Sequence, residues 1–485
     1  MDILFLIPPK QLNSKKMPVD RVYGCNYGFD YKPSIHLIQL ATLAKEANYK
    51  TRFLDCPAEG YNLKDFTAFI KKNLSIKIVV FFSVWLSLKE DLLAAEIISN
   101  RIKDVKIIFS GAYPTWKPEL FLKKKNYFVI RGEPERPFSR LTETIIEGKS
   151  GYFNLNNLSF LKKNKVISNP CGKLINLDKL CSPDYQLIKG KYFFNRLSQG
   201  PATILSASRG CKYGCSYCAP QAIDQAIELE YKKSNPEKPP LRLKSARKVI
   251  EEFKQIASLG YQAVEICDNQ FIWDKERTIA ICEAIKKLNL KWICCARADY
   301  LKDKQILALM REAGCSLIYI GTESFNQSIL NDIKKGLNLA DIYKAIKLVK
   351  DCKIEAEISL LLGCSQLETK ETISENIKKV KKNKSFFVHY AIASPLPNTF
   401  LYQTAKKNGW LKYKDFIPSD NLRQAQLNLP NISAKELKKI VKMNYLRQYL
   451  SARFILKELA KINSLAQFNF RVKSLLRFLK YLINR

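Results

Sequence analysis

Short apolar runs alternate with amphipathic helical patterns along the first 150 residues of the chain. Runs rich in Val, Ile and Phe predict strands, and an apolar period of 3.6 residues predicts helices. The predicted strands are residues 3–7, 51–55, 76–84, 105–110 and 127–130. The predicted helices are residues 35–47, 63–73, 88–102 and 137–147. Alternation of this kind indicates a parallel sheet covered by helices on both faces.

A second alternation begins near residue 202. Its predicted strands are residues 203–207, 263–267, 292–296, 316–321, 356–362 and 386–393. The helices between them are residues 246–259, 275–288, 304–313, 339–351 and 370–382. Six strands with five intervening helices predict a partial (β/α)6 barrel, whose active site lies at the carboxyl ends of the strands.

The length of 485 residues allows two to four domains, and the patterns divide the chain into four parts. Residues 1–150 form the first α/β unit. Residues 151–198 show no clear period and predict a connector with one small hairpin. Residues 199–405 form the partial barrel, and residues 406–485 form a basic helical C-terminal region.

The composition is that of an ordinary globular protein, with 47% hydrophobic and 26% charged residues, which excludes a disordered or collagen-like chain. The net charge of +36 favours anionic partners such as nucleic acid, phosphorylated substrates or an acidic membrane surface. The lysines are spread along the whole chain, however. Solvated helix faces explain the charge equally well.

The first apolar run, residues 3–7, is too short for a signal peptide and ends at Pro8 and Pro9. No run is long enough to span a membrane. We therefore expect a cytoplasmic protein. In that compartment the 14 cysteines are unlikely to form disulfides, so their spacing is read for metal chemistry.

Three cysteines follow directly on the first strand of the second alternation, in the order Cys211, Cys215 and Cys218. Thiolates at this C-x3-C-x2-C spacing fit one iron–sulfur cubane, whereas structural zinc needs four ligands. With three thiolates, one iron of a four-iron cluster keeps an open coordination position. Gly210 and Gly214 allow a tight loop around such a cluster.

This motif, with the aromatic Tyr217 before its last cysteine, resembles the signature of radical S-adenosylmethionine (SAM) enzymes. Weaker matches follow in the expected order. They are Gly321-Thr-Glu-Ser324, Ile329-Leu330, Lys335-Gly336, Gly363 with Glu368, Pro395-Leu-Pro-Asn-Thr399 and Leu401-Tyr402. The first unit is similar to the Rossmann-like cobalamin-binding (B12-binding) domain of one large subfamily. Its matches are Pro8-Pro9, residues 34–47, Gly111-Ala-Tyr-Pro-Thr115, Arg131-Gly-Glu133 and Asn176-Leu-Asp178.

The resemblance implies three cofactors: a [4Fe–4S] cluster on the three cysteines, SAM on its open iron, and cobalamin above the barrel mouth. It implies reductive cleavage of SAM to a 5′-deoxyadenosyl radical, with the protein orienting cofactors and substrate. Candidate SAM-binding residues are Tyr217, Asp268, Arg297 and Glu323. Each of the three charged residues is equally well explained as part of a strand-end salt bridge.

Cobalamin is expected across the strand ends of the first unit. The candidate contacts offer short side chains, one indole ring and exposed backbone amides. They are Ser83, Trp85, Ser87, Gly111, Thr115, Gly132 and Glu133. Trp85 is suited either to pack on the corrin ring or to fill a gap beneath its loop.

The function expected from this resemblance is methylation of an unactivated carbon in a small-molecule or lipid-linked substrate, with an external one-electron reductant. A radical cyclisation or rearrangement within the same subfamily is the first alternative. The amphipathic basic segment 468–485 is suited to lie on an anionic membrane, but docking on the barrel is the commoner use of such a helix.

Other classes fit less well. Methylthiotransferases need three further cluster cysteines in the N-terminal domain, and only Cys25 and Cys56 precede Cys171. An iron–sulfur electron carrier predicts four cluster thiolates. A nucleic-acid-binding protein predicts a concentrated basic patch or a recognition motif, and the sequence shows neither. No specific nucleic acid is therefore expected.

Overall fold

A computed structural model describes residues 1–10, 18–24, 31–149, 151–190, 192, 200–218, 220–382, 387–418 and 425–459, with the single residues 462, 468, 472 and 476. Within these residues the fold is α/β, with two sheets built from the two predicted alternations. The α/β fold class predicted from the strand and helix patterns is therefore confirmed.

The first sheet has seven strands in the order β2-β1-β3-β4-β5-β6-β7. They are β1 (Ile3–Ile7), β2 (Thr51–Asp55), β3 (Ile78–Phe82), β4 (Lys106–Ser110), β5 (Tyr127–Ile130), β6 (Leu158–Lys162) and β7 (Lys165–Ser168). The strands β1 to β5 pair in parallel, as predicted. The hairpin of the connector forms β6 and β7, which extend the same sheet as antiparallel strands.

The helices of this unit are α1 (Ile35–Glu46), α2 (Cys56–Glu59), α3 (Leu63–Lys72), α4 (Leu88–Ser99), α5 (Ala112–Trp116) and α6 (Glu135–Ile146). Alternating residues of β1 enter two separate cores, because successive side chains of a strand point to opposite faces. Leu4 and Leu6 belong to one core, and Ile3, Phe5 and Ile7 to the other. Burial on both faces explains the uninterrupted apolar runs of these strands.

The second sheet is parallel, with the strand order β15-β14-β13-β12-β11-β8. Its strands are β8 (Ala202–Leu205), β11 (Ala263–Ile266), β12 (Lys291–Ala296), β13 (Cys315–Glu323), β14 (Glu355–Leu362) and β15 (Phe387–Ile392). Two short antiparallel strands, β9 (Ser208–Arg209) and β10 (Arg242–Leu243), pair beside the first of them. The six parallel strands confirm the partial barrel.

The helices around this sheet are α7 (Ala222–Tyr231), α8 (Ala246–Ser258), α9 (Lys275–Ile285), α10 (Lys304–Glu312), α11 (Gln327–Asp332), α12 (Leu339–Asp351), α13 (Lys370–Lys382) and α14 (Phe400–Lys407). The helices α7, α11 and α14 were not predicted. Beyond them lie α15 (Ala434–Tyr449) and α16 (Ala452–Leu459). Leu437, Val441 and Tyr445 of α15 are buried in the core of the barrel.

No helix among the described residues is long and apolar enough to cross a membrane. The amphipathic segment 468–485 lies outside the described residues except for Phe468, Val472 and Leu476.

Candidate active site

The cysteine motif forms a loop between β9 and α7, at the carboxyl end of the partial barrel. Cys211, Cys215 and Cys218 are partly accessible and form no disulfide. Gly210 begins the loop with φ +89, and a Cβ atom there would lie 3.1 Å from the carbonyl oxygen of Pro240. Glycine is therefore required at this turn.

Burial raises the pKa of the Cys218 thiol, and charges on Cys215 and Cys211 raise it further. The three thiols are therefore near enough to influence one another electrostatically. Among the described residues, no three His, Cys, Asp or Glu side chains converge as ligands of one metal ion. An iron–sulfur cubane requires a different arrangement of thiolates, because each cysteine binds a different iron. The spacing and placement of the loop fit that arrangement.

Asp268 and Asn269, which follow β11, hold both ends of the cysteine loop. The Asn269 amide donates to the carbonyl oxygen of Gly210 (3.2 Å) and to the Asp224 carboxylate (2.6 Å), and its oxygen accepts from the Gln221 amide (3.3 Å). Asp268 accepts from the Ala207 amide and from the Ser208 hydroxyl, both at 2.7 Å. Burial raises the pKa of Asp268 and of Asp224 to about 6.

The middle of the loop is held by backbone hydrogen bonds. The Ser216 amide donates to the carbonyl oxygen of Ile333 (2.9 Å), and the Leu401 amide donates to the carbonyl oxygen of Ser216 (2.9 Å). The loop is thus fixed at three points before any cofactor binds.

Three of the four predicted SAM-binding residues surround one lysine. Lys335 donates to Glu323 at 2.8 Å and to the Tyr217 hydroxyl at 3.3 Å. The guanidinium of Arg297 donates to the carbonyl oxygen of Lys335 at 3.0 Å. The fourth, Asp268, holds the strand before the cysteine loop instead.

Glu323 ends β13 with φ +62, in the left-handed region that glutamate rarely adopts. The register of β13 against β14 shifts at this point. Burial alone would raise the pKa of Glu323, but Lys335 and the Ser359 hydroxyl (2.8 Å) lower it below its usual value. The carboxylate is therefore kept charged at the mouth of the barrel. Strained backbone of this kind concentrates at functional sites.

Sequence reasoning missed Lys335 and Ser359 as site residues. Lys335 was noted only within a Lys-Gly motif, and Ser359 stands inside a strand without a distinguishing pattern. Ser359 pairs with Gly321 and with His389 in neighbouring strands. Register across the sheet, which the sequence does not reveal, brings Ser359 to Glu323.

The predicted cobalamin contacts after β3 lie in a buried network of the first unit. The hydroxyls of Ser83 and Ser87 donate to Asp91 at 2.6 and 2.7 Å, and Asp91 pairs with Arg21 at 2.8 Å. The indole of Trp85 donates to the Gln225 side chain on α7 at 2.6 Å.

The predicted contacts after β4 and β5 are also engaged by protein. The Thr115 hydroxyl donates to the carbonyl oxygen of Gly111 (2.7 Å) and accepts from the Gly132 amide (3.0 Å). Glu133 pairs with Arg209 (2.6 Å) and with Arg242 (2.9 Å) of the second unit. All seven residues predicted to contact cobalamin are buried by protein atoms.

Residues 205–392 match the family model of the Radical SAM superfamily. With the cysteine loop at the carboxyl end of a six-stranded partial barrel, this match shows that the protein contains a radical SAM domain. A relative from Pyrococcus horikoshii, "Uncharacterized methyltransferase PH0819", is 27% identical over 95% of both chains. The anaerobic magnesium-protoporphyrin IX monomethyl ester cyclase of Rubrivivax gelatinosus is 25% identical over 62% of this chain and 53% of its own.

Two solved structures share the fold. The cobalamin-dependent SAM radical enzyme OxsB with aqua-cobalamin bound gives a TM-score of 0.72 at 16% identity, over 99% of this chain and 72% of that chain. The radical SAM methyltransferase TsrM from Kitasatospora setae, with cobalamin and a [4Fe–4S] cluster bound, gives 0.66 at 14% identity, over 93% of this chain and 86% of that chain. The chain thus has the two-unit fold in which those proteins hold their cofactors.

Proposed function

We propose that this radical SAM enzyme acts on an unactivated carbon of a small molecule, using a [4Fe–4S] cluster bound by Cys211, Cys215 and Cys218. The observation that carries the proposal is the position of these cysteines at the carboxyl end of the partial barrel, beside a charged Glu323 and Lys335. When bound, the cluster and SAM supply one-electron cleavage of SAM and removal of a hydrogen atom from the substrate. An external one-electron reductant supplies the electron.

The side chains of the site divide this work. Asp268 and Asn269 hold the cysteine loop in place through its two ends. Glu323 is suited to accept from the SAM amino group, and Arg297 is suited to donate to its carboxylate, because charge-assisted hydrogen bonds are the stronger ones. Tyr217 lies within hydrogen-bond distance of Lys335 and shields the loop.

The substrate is proposed to enter the barrel from the side of the first unit. Lys32 and Tyr23, from the chain between β1 and α1, reach Glu265 of β11 at 2.8 and 2.9 Å. On β14 of the same sheet, Glu357 and Ser359 stand on one face, because residues two apart in a strand share a face. These polar side chains favour a substrate with hydrogen-bonding groups near the reacting carbon.

Methylation is the first candidate reaction, supported by the methyltransferase relative that matches along nearly the whole chain. Ring closure is the second, supported by the cyclase relatives. When bound by the first unit, cobalamin would carry the methyl group to the substrate, as the cobalamin-bound structures of the same fold support. If the substrate is lipid-linked, the basic segment 468–485 would bind the membrane surface that holds the substrate.

The proposal is tested by reconstituting the protein without oxygen and measuring 5′-deoxyadenosine formed from SAM and a reductant. A variant with Cys211→Ala, Cys215→Ala and Cys218→Ala should lose both the cluster and the product. The matched control carries Cys171→Ala, Cys181→Ala and Cys352→Ala, three partly exposed thiols outside the loop. This control should keep both. A wild-type cluster that never cleaves SAM would contradict the proposal and leave an electron carrier.

A further inference from the structure

One side of the cysteine loop reaches the surface of the protein at two exposed residues, Lys212 and Gly214. They lie on either side of Tyr213, between Cys211 and Cys215. A Cβ atom added at Gly214 would meet no other atom within 4 Å, so this part of the loop faces open space. A partner that contacts this stretch therefore contacts the loop that holds the proposed cluster.

A second exposed cation, Lys334, lies beside the same loop. The carbonyl oxygen of Ile333 accepts from the Ser216 amide, and the carbonyl oxygen of Ser216 accepts from the Leu401 amide, both at 2.9 Å. These two hydrogen bonds place Lys334 and Phe400, which are their neighbours in the chain, next to the loop. The Lys334 ammonium lies 4.8 Å from the centroid of the Phe400 ring. Phe400 is 55% exposed, so the loop is flanked by an uncovered apolar ring.

A chain of side-chain contacts joins the two lysines. The Lys212 ammonium lies 5.7 Å from the centroid of the Tyr213 ring, and the Arg297 guanidinium lies 3.5 Å from the same centroid. Arg297 also donates to the carbonyl oxygen of Lys335, the residue after Lys334, at 3.0 Å. The two lysines and the exposed ring therefore belong to one continuous part of the protein around the loop.

The loop-flank surface consists of Lys212, Gly214, Lys334 and Phe400. Among the described residues, neither of its lysines forms a salt bridge, so both positive charges are uncompensated. The net charge of +36 adds a positive field over a longer range. Protein interfaces combine an apolar centre with a polar rim, and partners carry complementary charge. An exposed ring beside two uncompensated cations therefore fits an acidic protein partner.

The proposed function requires an external reductant that delivers one electron to the cluster. We infer that an acidic electron-carrier protein docks on the loop-flank surface, with carboxylates facing Lys212 and Lys334 and an apolar contact at Phe400. In this complex the carrier loses one electron and the cluster gains it, and no covalent bond forms or breaks. The inference rests on the proposed function of the cluster, whereas docking itself does not require SAM cleavage. Electron-transfer encounters bury little area, so complementary charge governs how fast they form.

The first test measures binding of an acidic flavodoxin to the full-length reconstituted protein by isothermal titration calorimetry at low salt. The double variant Lys212→Glu with Lys334→Glu should weaken the affinity about tenfold or more, because two attractive contacts become repulsive. The matched control is Lys123→Glu with Lys125→Glu, which changes the net charge equally. These two lysines are exposed and precede β5, at the end of that strand opposite the barrel unit.

The control variant should bind flavodoxin with the wild-type affinity. Equal weakening by both double variants would show that net charge alone attracts the carrier, and would overturn the inference. Absence of binding by the wild-type protein at low salt would also overturn it.

The second test separates docking from the proposed function by comparing two reductants. Stopped-flow absorbance gives the rate of cluster reduction by reduced flavodoxin and by titanium(III) citrate, a small reductant that needs no docking surface. With flavodoxin, Lys212→Glu with Lys334→Glu should be about tenfold slower than wild type at low salt, and the difference should shrink in about 1 M salt. With titanium(III) citrate, the two proteins should react at the same rate.

Equal slowing with both reductants would show that the substitutions damage the cluster and not the docking, and would overturn the inference. Production of 5′-deoxyadenosine from SAM is measured with titanium(III) citrate on the wild-type protein. Its absence would count against the proposed function alone, because the calorimetric result does not depend on SAM cleavage.

Discussion

At the residue scale, Asn269 connects the two ends of the cysteine loop through one amide group. It contacts Gly210 before the first cysteine, and Gln221 and Asp224 after the third. The residue type suits this task, because an amide both donates and accepts hydrogen bonds. Asp268, predicted from the sequence to bind SAM, has both carboxylate oxygens engaged by Ala207 and Ser208.

We expect Asn269→Ala to reduce the iron bound per chain after reconstitution, because the ends of the loop lose their common partner. The substitution leaves the buried Asp224 carboxylate without this donor, and an unsatisfied buried polar group costs about 1–3 kcal/mol of stability. Iron and sulfide analysis with electron paramagnetic resonance measures the cluster. Asn338→Ala is the control, since Asn338 caps α12 away from the loop. If both variants bind the wild-type amount of iron, Asn269 does not position the cluster.

At the element scale, the sequence predicted the parallel strands because each carries its own apolar run. The prediction failed for α7, whose residues follow the cysteine motif and pack against the other unit. A local pattern shows that a helix is amphipathic, but it does not show which surface of the protein the helix covers. The seven cobalamin candidates lie at strand ends as predicted, and α7 contacts two of them, Trp85 and Gly132, through Gln225 and Glu230. Lys335 and Ser359 were missed for the same reason.

Helix α15 covers β15, the edge strand of the second sheet. The Tyr445 hydroxyl accepts from the Tyr390 amide at 3.0 Å, so this edge amide has a buried partner. Edge strands need such protection. We expect Tyr445→Phe to lower the free energy of unfolding by about 1–3 kcal/mol, measured by urea denaturation. Tyr343→Phe, at an exposed tyrosine, is the matched control and should change little. Equal stability of both variants would contradict this role of α15.

At the scale of the whole molecule, the two units are joined by buried charges as well as by apolar packing. Arg209 of β9 pairs with Glu133 and Glu135 of the first unit, and Arg242 of β10 also pairs with Glu133. The short ribbon β9–β10 thus links the strand before the cysteine loop to the end of β5. Glu230 of α7 also pairs with Arg131 of the first unit. The position of the cysteine loop is therefore fixed by both units together.

This arrangement predicts that the two units unfold together and that Arg209→Met uncouples them. The substitution leaves Glu135 buried without its cation, and breaking a buried pair in this way costs about 3–5 kcal/mol. Because the loss falls on the interface, we expect the tryptophan fluorescence and circular dichroism transitions to separate in urea, whereas they coincide in the wild type. Arg247→Met, at an exposed pair with Glu251, should leave them coincident. A single wild-type-like transition for Arg209→Met would mean that apolar packing alone couples the units, and that the ion pairs only set their orientation.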